Sequence, residues 1–304
     1  MGIKIKVFIW RLIFTPFYRF KYFLTIKERR LLCIMNSVQT INYIIENKCS
    51  VCRYGDGEFQ MITHYLEHGS SENFHVDTFQ NYNPVLAARL LEVYKSSNIK
   101  LLQCIPYSFK KSSVYKGYGR TFFEREWLLR KPFVKKNKLY GDSCFTRFWL
   151  GRTDVKNVGG YVASLKKIWN KKNVLIVEGA KSRLGVANDL FDNCAIIKRV
   201  LCPAVNAFSR YCEILEEVKK CAEKDTLILL ALGHTATVMA YDLTLLGYQA
   251  IDIGHVDIEY EWYLMRATEK VPVPNKYVNE VAEGRISSDL QDTVYEKQII
   301  AIVD

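Results

Sequence analysis

Short apolar runs recur along the chain, and most end at a turn residue followed by a helical pattern. Residues 51–54 lead into Gly55-Asp56-Gly57, residues 100–105 into Pro106, and residues 174–177 into Glu178-Gly179. Residues 197–201 lead into Cys202-Pro203, residues 226–232 into Gly233, and residues 249–253 into Gly254. Helical spacing marks residues 83–94, 185–191, 208–221 and 235–246. Continuous apolar strands alternating with helices predict an α/β fold, with a largely parallel sheet flanked by helices. No Pro/Gly/Ser-rich linker and no internal repeat divides residues 31–304, so one domain is the simplest partition. In such sheets ligands bind beyond the carboxyl ends of the strands. Candidate chemistry is therefore sought in the residues just after each strand.

Composition changes this picture at one place. The chain has 304 residues, 49% hydrophobic and 25% charged, as in ordinary globular proteins. Of its net charge of +11, a net +7 falls within residues 1–30, where eight cations face the single acid Glu28. The body is not a polycation, so generic nucleic-acid binding is not expected. The segment MGIKIKVFIWRLIFTPFYRFKYFLTIKERR interleaves aromatics with Lys and Arg. It is too often interrupted by charge to span a membrane, and no small-residue cleavage site follows it. Two readings stay open: a helix lying on an anionic membrane surface, or a helix packed on the domain. Pro16 is expected to break or kink a helix there.

Nine cysteines and no secretory signal fit reduced thiols in a cytoplasmic protein. Cys49 and Cys52 have the spacing of a redox or zinc pair. No second pair or nearby His completes a zinc set, and buried small hydrophobes are the plainer reading.

Four turns carry candidate chemistry. In Arg53-Tyr54-Gly55-Asp56-Gly57-Glu58-Phe59, the glycines permit a tight turn and close ligand approach. Asp56 and Glu58 offer hard oxygens suited to Mg²⁺ or Mn²⁺. The alternative is a helix start, with Asp56 as cap and Glu58 in the first turn. In residues 178–189 a helix is expected to start near Arg183, and Ser182 and Arg183 would then form an anion site. A capped helix is the plainer alternative. Gly233-His234-Thr235 repeats the strand-to-helix pattern. Residues 252–262 hold Asp252, His255, Asp257, Glu259 and Glu261 beside Tyr260 and Trp262. Asp257 and Glu261 would share one helix face, where like charges repel and suit a general base. No Lys or Arg partner appears before Arg266. An acidic surface helix is the alternative. The two aromatics beside acids also suit a sugar pocket.

Six strings together resemble the bacterial GT-D-type glycosyltransferase family, once catalogued as a domain of unknown function. They are RYGDGEF (53–59), YGDSCFTRFW (140–149), EGAKSRLGVANDLF (178–191), CPAVNAF (202–208), ALGHTATVMAYDL (231–243) and DIGHVDIEYEW (252–262). The resemblance implies a Rossmann-like fold and a nucleotide-sugar donor. It also implies a divalent metal engaged through the D-x-E motif, here Asp56 and Glu58. The chain departs where Ala187 replaces a usual glycine and where His234 replaces a usually non-His residue.

The resulting expectation is a glycosyltransferase that moves a hexose from a nucleotide diphosphate sugar, of the UDP-glucose kind, with Mn²⁺ or Mg²⁺. Arg53, Gly55, Ser182, Arg183, Gly233 and Thr235 are the expected donor contacts. A base from His255, Asp257, Glu259 or Glu261 would deprotonate the acceptor. The acceptor would be a glycan on a lipid carrier or a protein. The location would be cytoplasmic, at the inner face of the membrane if residues 1–30 bind lipid. The alternatives are a nucleotide-binding scaffold without turnover and a metal-dependent phosphoesterase, which would need more metal ligands than one D-x-E supplies.

Overall fold

The computed structural model describes residues 14–70, 74, 79–285 and 291–304. Residues 1–13, which hold the first part of the basic aromatic segment, lie outside the described residues. The N-terminal half runs through helix α1 (residues 14–24), α2 (Ile26–Arg30), strand β1 (Cys33–Ile34), α3 (Ser37–Asn47), β2 (Ser50–Arg53) and α4 (Asp56–His68). It continues with α5 (Pro84–Lys95), β3 (Leu101–Ile105), α6 (Gly117–Arg130) and β4 (Leu139–Asp142). The C-terminal half comprises α7 (Val158–Lys166), β5 (Asn173–Gly179), β6 (Ile196–Cys202), α8 (Tyr211–Cys221), β7 (Leu227–Ala231) and α9 (His234–Leu245). It ends with β8 (Gln249–Asp252), α10 (Val256–Leu264), α11 (Thr293–Gln298) and β9 (Ile299–Ile302).

Among the described residues nine strands form one sheet in the order β1-β4-β3-β2-β8-β7-β5-β6-β9. Every pairing is parallel. The expected α/β architecture is thus observed, and six of the strands coincide with the apolar runs. Three strands were not anticipated: β1, β4 and β9. β1 has two residues and β9 alternates half-buried with exposed positions, so neither forms a continuous apolar run.

Alternation along each strand divides the core in two. Leu175 and Val177 of β5 face one layer with Phe59, Leu90, Met239 and Trp127. Val174 and Ile176 face the other with Ile41, Leu165, Trp169 and Tyr260. Local signals start the helices. Asn36 caps α3 in a reciprocal bond with Gln39, and Asn83 caps α5 with Pro84 in the first turn.

Residues 14–24 are helical, and Pro16 does not end that helix. One side of this N-terminal region is packed. Tyr22 and Thr25 are buried, and the Arg29 guanidinium lies 3.6 Å from the Tyr22 ring centroid while donating to Lys110 O at 2.8 Å. The opposite side leaves Phe17, Phe20, Phe23 and Leu24 exposed. Residues 22–30 are therefore fastened to the domain, although residues 1–30 read as a separate segment in the sequence.

The two halves of the sheet meet where β2 pairs with β8, Val51 against Ile251. At the end of that seam Arg53 Nη2 pairs with Asp252 Oδ1 at 2.7 Å. Arg53 Nη1 donates to Ser143 O and Thr146 Oγ1 at 3.2 and 3.1 Å, and Thr237 of α9 donates to Arg53 O at 2.8 Å. Gly254 makes room for this guanidinium. Its φ is +45°, and a Cβ there would stand 1.8 Å from Arg53 Nη2. Gly254→Ala is expected to destabilise the protein by roughly 2–4 kcal/mol through strain and overpacking. Urea denaturation measures it, and an unchanged midpoint would show that the seam tolerates displacement of Arg53.

Candidate functional site

A cavity of about 1030 Å³ lies over the carboxyl ends of the strands, where open parallel sheets place ligands. Loops after β3 and β4 wall one end, with Pro106, Phe109, Tyr115, Ser143 and Arg147. Loops after β5 and β6 wall the other, with Gly179, Ser182, Pro203 and Ala204. The turn after β2 lies between them and carries Gly55, Asp56, Gly57 and Glu58.

The helix-start reading of the D-x-E turn holds for Glu58 and not for Asp56. Glu58 is the helix-start acid. Its Oε2 accepts from Gly55 N at 2.7 Å, while Oε1 meets His234 Nδ1 at 2.5 Å. Burial opposes ionisation, but His234 and the Gly55 N–H outweigh it and hold the carboxyl down at about 2. His234 packs against Gly57, where a Cβ would stand 2.3 Å from the imidazole Cε1. Glycine at 57 is what lets α4 and α9 approach. Asp56 is not the cap, since Gly55 occupies that position. It is exposed, lines the cavity and has no hydrogen bond or ion pair among the described residues. Glu126 of α6 lines the same cavity. Burial raises its carboxyl, Arg130 opposes, and the Asp56 charge adds to the rise.

The second charged group lies after β4. Arg147 Nη2 donates to Glu280 Oε1 at 2.5 Å and faces His255 Nδ1 at 3.1 Å, and Lys270 meets Glu280 Oε2 at 2.5 Å. Burial, then the Arg147 charge, push the His255 imidazole down to about 4. The ring is therefore neutral near pH 7. A guanidinium only donates, so Nδ1 accepts from Arg147 and the ring proton sits on Nε2.

The acids of α10 have partners that the sequence does not reveal. Asp257 accepts from Gly185 N and Asn188 Nδ2, each at 2.8 Å, and from Lys276 Nζ at 2.7 Å. Glu261 accepts from the same Asn188 amide at 2.6 Å and the same Lys276 at 2.7 Å. The expected like-charge pair on one face is thus bridged by a buried ammonium, from a cation beyond Arg266 on a loop. Glu259 Oε2 accepts from Trp149 N at 2.9 Å and Leu150 N at 3.3 Å. Burial raises its carboxyl while Arg147 opposes. His255, Asp257 and Glu259 line the cavity, and Glu261 stands behind them. Tyr260 and Trp262 do not form the expected sugar pocket. Both are buried, Tyr260 bonded to Asp189 and Trp262 donating to Val271 O at 2.9 Å.

The helix expected over residues 185–191 does not form, and turns take its place. Arg183 and Ala187 have φ of +50° and +61°, outside helical backbone. Buried carboxylates take the local N–H groups instead: Glu178 accepts from Leu184 N and Asp257 from Gly185 N, both at 2.8 Å. Ser182 still lines the cavity, whereas Arg183 turns away and donates to Asn275 O at 2.7 Å. Gly233 and Arg53 line the cavity, and Thr235 is buried away from it.

Arg147, Glu280, Lys276 and the ring cluster at residues 115–123 join the site without having been singled out. Arg147 has a visible signal, since it follows β4 by five residues within the string 140–149. Glu280 and Lys276 lie in an irregular segment that offers no periodicity. Cys49 and Cys52 are both buried, and burial pushes the Cys49 thiol up to about 11. No cluster of three or more His, Cys, Asp or Glu suited to a metal occurs among the described residues.

The depressed His255 value has a consequence for stability. The unfolded chain binds a proton at this residue below about pH 6.5, which the fold refuses until about pH 4. Stability is therefore present above pH 6.5 and lost as pH falls toward 4, by at most about 1.4 kcal/mol per unit. Urea denaturation at pH 7 and pH 5 should show a smaller loss in His255→Gln than in the parent. Equal losses would mean that His255 is not held neutral.

A family model described as the glycosyltransferase GT-D fold matches residues 51–281. The chain is 36% identical over 281 residues to a probable glycosyl transferase, Gly, of Streptococcus gordonii, covering 90% of this chain and 39% of that protein. It is 34% identical over 270 residues to glycosyltransferase GlyD of Streptococcus pneumoniae serotype 4, covering 86% and 31%. The chain thus spans well under half the length of these curated relatives. Among solved structures, it is similar to a highly conserved domain of unknown function 1792 described as having a distinct glycosyltransferase fold. The identity is 39% and the TM-score 0.83, over 93% of this chain and all of that one. A new glycosyltransferase from Streptococcus sanguinis matches at 34% identity and TM-score 0.80, over 90% of this chain and all of that one.

Proposed function

Because the chain belongs to the family of GT-D-fold glycosyltransferases, we propose that it transfers a hexose from a nucleotide diphosphate sugar, of the UDP-glucose kind, to a glycan acceptor on a lipid carrier or protein. The observation that carries this reading is the unpaired Asp56 carboxylate, facing a cavity large enough for two substrates. A divalent ion fits the chemistry of this turn. Asp56 offers a free hard oxygen, and Mg²⁺ or Mn²⁺ is commonly held by one or two carboxylates together with substrate phosphates. Glu58 is already engaged by Gly55 and His234 and fixes the turn that presents Asp56. When bound, the ion would neutralise charge on the diphosphate leaving group.

Gly55, Ser182 and Gly233 leave backbone and a hydroxyl open to the donor at the cavity wall. Arg53 orients the turn through Asp252. Deprotonation of the acceptor hydroxyl belongs to Asp257, which lines the cavity and is held with Glu261 by Lys276, because His255 carries its proton on Nε2 and gives its Nδ1 lone pair to Arg147. A phosphoesterase is disfavoured because one free carboxylate falls short of the paired metal site such enzymes use.

A panel of nucleotide sugars with Mn²⁺ or Mg²⁺, read by nucleotide diphosphate release, tests the reaction. Turnover should stop in chelator and return with Mn²⁺. Asp56→Asn should lose at least about 10²-fold in kcat with the fold intact. Full activity of Asp56→Asn, or in excess chelator, would overturn the metal assignment. Asp257→Asn should lower kcat by about 10²–10⁴ with donor affinity little changed. Near-normal kcat in this variant would move the base elsewhere.

The N-terminal region adds a surface to this reading. No helix among the described residues is long and apolar enough to cross a membrane. Phe20 and Phe23 are each 62% exposed, beside Phe17, Leu24 and the cations Lys21, Lys27 and Arg30. We propose that this face lies on an anionic bilayer at the inner surface of the cell membrane, where each Lys or Arg adds about 1 kcal/mol. The protein should pellet with phosphatidylserine vesicles and release in high salt. The triple variant Phe17→Ser, Phe20→Ser, Phe23→Ser keeps the buried Tyr22 and Arg29 and should no longer pellet. Unchanged sedimentation of that variant would exclude the face as the contact.

A further inference from the structure

We infer that the aromatic end of the cavity, built by Tyr115, Tyr118, Phe122 and Phe123, is a stacking platform for a pyranose ring of the acceptor. The inference rests on the glycosyltransferase reading above and adds the acceptor's place in the cavity and the residues that hold it.

Size comes first. Pockets for one small ligand run to roughly 300–1,000 Å³, and this cavity, at about 1030 Å³, stands at the top of that range. Its two ends then differ in chemistry. The end under β5, β6 and β7 is lined by the small residues Gly179, Ser182, Ala204 and Gly233, with the Phe79 ring set against Gly233. That suits phosphates, which are recognised by N–H groups and hydroxyls. The end beside β3 and β4 is lined by rings.

These rings form a continuous cluster. Tyr115 and Phe123 lie 4.7 Å apart at 37°, Phe122 meets Phe123 edge-on at 5.2 Å, and Tyr118 lies 6.4 Å from Phe122. Tyr118 and Phe122 are four residues apart on α6, so they share a face. The base of the cluster is rigid. Tyr115 is buried, with the Arg152 guanidinium 5.1 Å from its ring centroid, and Arg152 is itself paired with Asp154 at 2.8 Å. Tyr118, at the other end of the cluster, is 52% exposed.

A pyranose has one face of C–H groups and a rim of hydroxyls. The C–H face loses little by leaving water for an aromatic ring, and aromatic contact adds to that burial. The hydroxyl rim needs polar partners at the edge of the platform. Lys116 and Glu126 line the cavity beside these rings. A nucleobase is also flat enough to stack here. It would bring no need for polar partners around its whole rim, and the backbone-lined end already suits the nucleotide.

Saturation-transfer NMR tests this without requiring turnover. The probes are the methyl β-glycosides of glucose, galactose and N-acetylglucosamine, with UDP as the probe for the other end. Wild-type protein should transfer saturation to ring C–H protons of at least one glycoside. Tyr118→Ala and Phe122→Ala should weaken that transfer at least about five-fold, Tyr118→Phe should retain it, and UDP transfer should be the same in all. Tyr118 is largely exposed, and retained UDP binding certifies the fold of each variant. No transfer to any glycoside in the wild type would overturn the platform. So would a Tyr118→Ala variant that loses UDP transfer while keeping the glycosides, since the nucleobase would then occupy the rings. Glycoside transfer with the expected losses, but no nucleotide diphosphate release from any donor, would leave the platform standing and remove the proposed reaction.

Discussion

The ion pair between Arg53 and Asp252 is the contact on which the site depends. It closes the seam where the two halves of the sheet meet, and each partner ends one of the two seam strands. Asp252 is buried, which raises its carboxyl, and the Arg53 charge pulls it back toward ionisation. A buried pair of this kind is not a large source of net stability, but losing either partner leaves a buried charge alone. Its effect is positional. Arg53 also reaches Ser143 and Thr146 after β4, and its carbonyl receives Thr237 of α9. One guanidinium therefore sets the turns after β2, β4 and β8 relative to one another, and those turns carry Asp56, Arg147 and His255.

A similar economy governs α10. Its acids form a scaffold in which four of the six carboxylate oxygens accept hydrogen bonds from described residues. Asp257 and Glu261 hold residues 185–188 and Lys276, while Glu259 holds the backbone at 149–150. These acids anchor irregular backbone at residues 149–150 and 185–188 beside the cavity. Backbone N–H groups that lack a helix or strand partner must find another acceptor, and buried carboxylates are strong ones.

The sheet was legible in the sequence because parallel strands buried on both faces must be apolar at every position. β5 and β7 are buried along nearly their whole length. β1 and β9 were not legible because an edge strand half in water lacks that constraint. Within the site, residues directly after strands were readable: Arg53, Gly55, Asp56, Gly233 and His255. Lys276 and Glu280 were not, since their positions follow from tertiary contacts of an irregular segment. The helix misread at 185–191 shows the same limit. Its apolar spacing is genuine, as Leu190 and Phe191 are buried, but the backbone polar groups are claimed by Glu178 and Asp257 before a helix can use them. Periodicity reports which side chains go inside and not which acceptor takes each N–H.

The seam also has a kinetic consequence. Ser50 and Ala250, bonded across it, are 200 residues apart in the chain, whereas β2, β3 and β4 pair with near neighbours in sequence. Closing so long a loop carries an entropic cost that local pairing does not, and contacts of high sequence separation slow folding. The strands of each half come from one continuous stretch of chain, residues 33–142 and 173–302, and the cavity exists only once the halves dock. During synthesis, at about 5–20 residues per second, the D-x-E turn emerges long before the strand that completes its surroundings. The binding surface is thus among the last features to form, and a chain stalled before β8 carries the acid of the site without the place for a substrate.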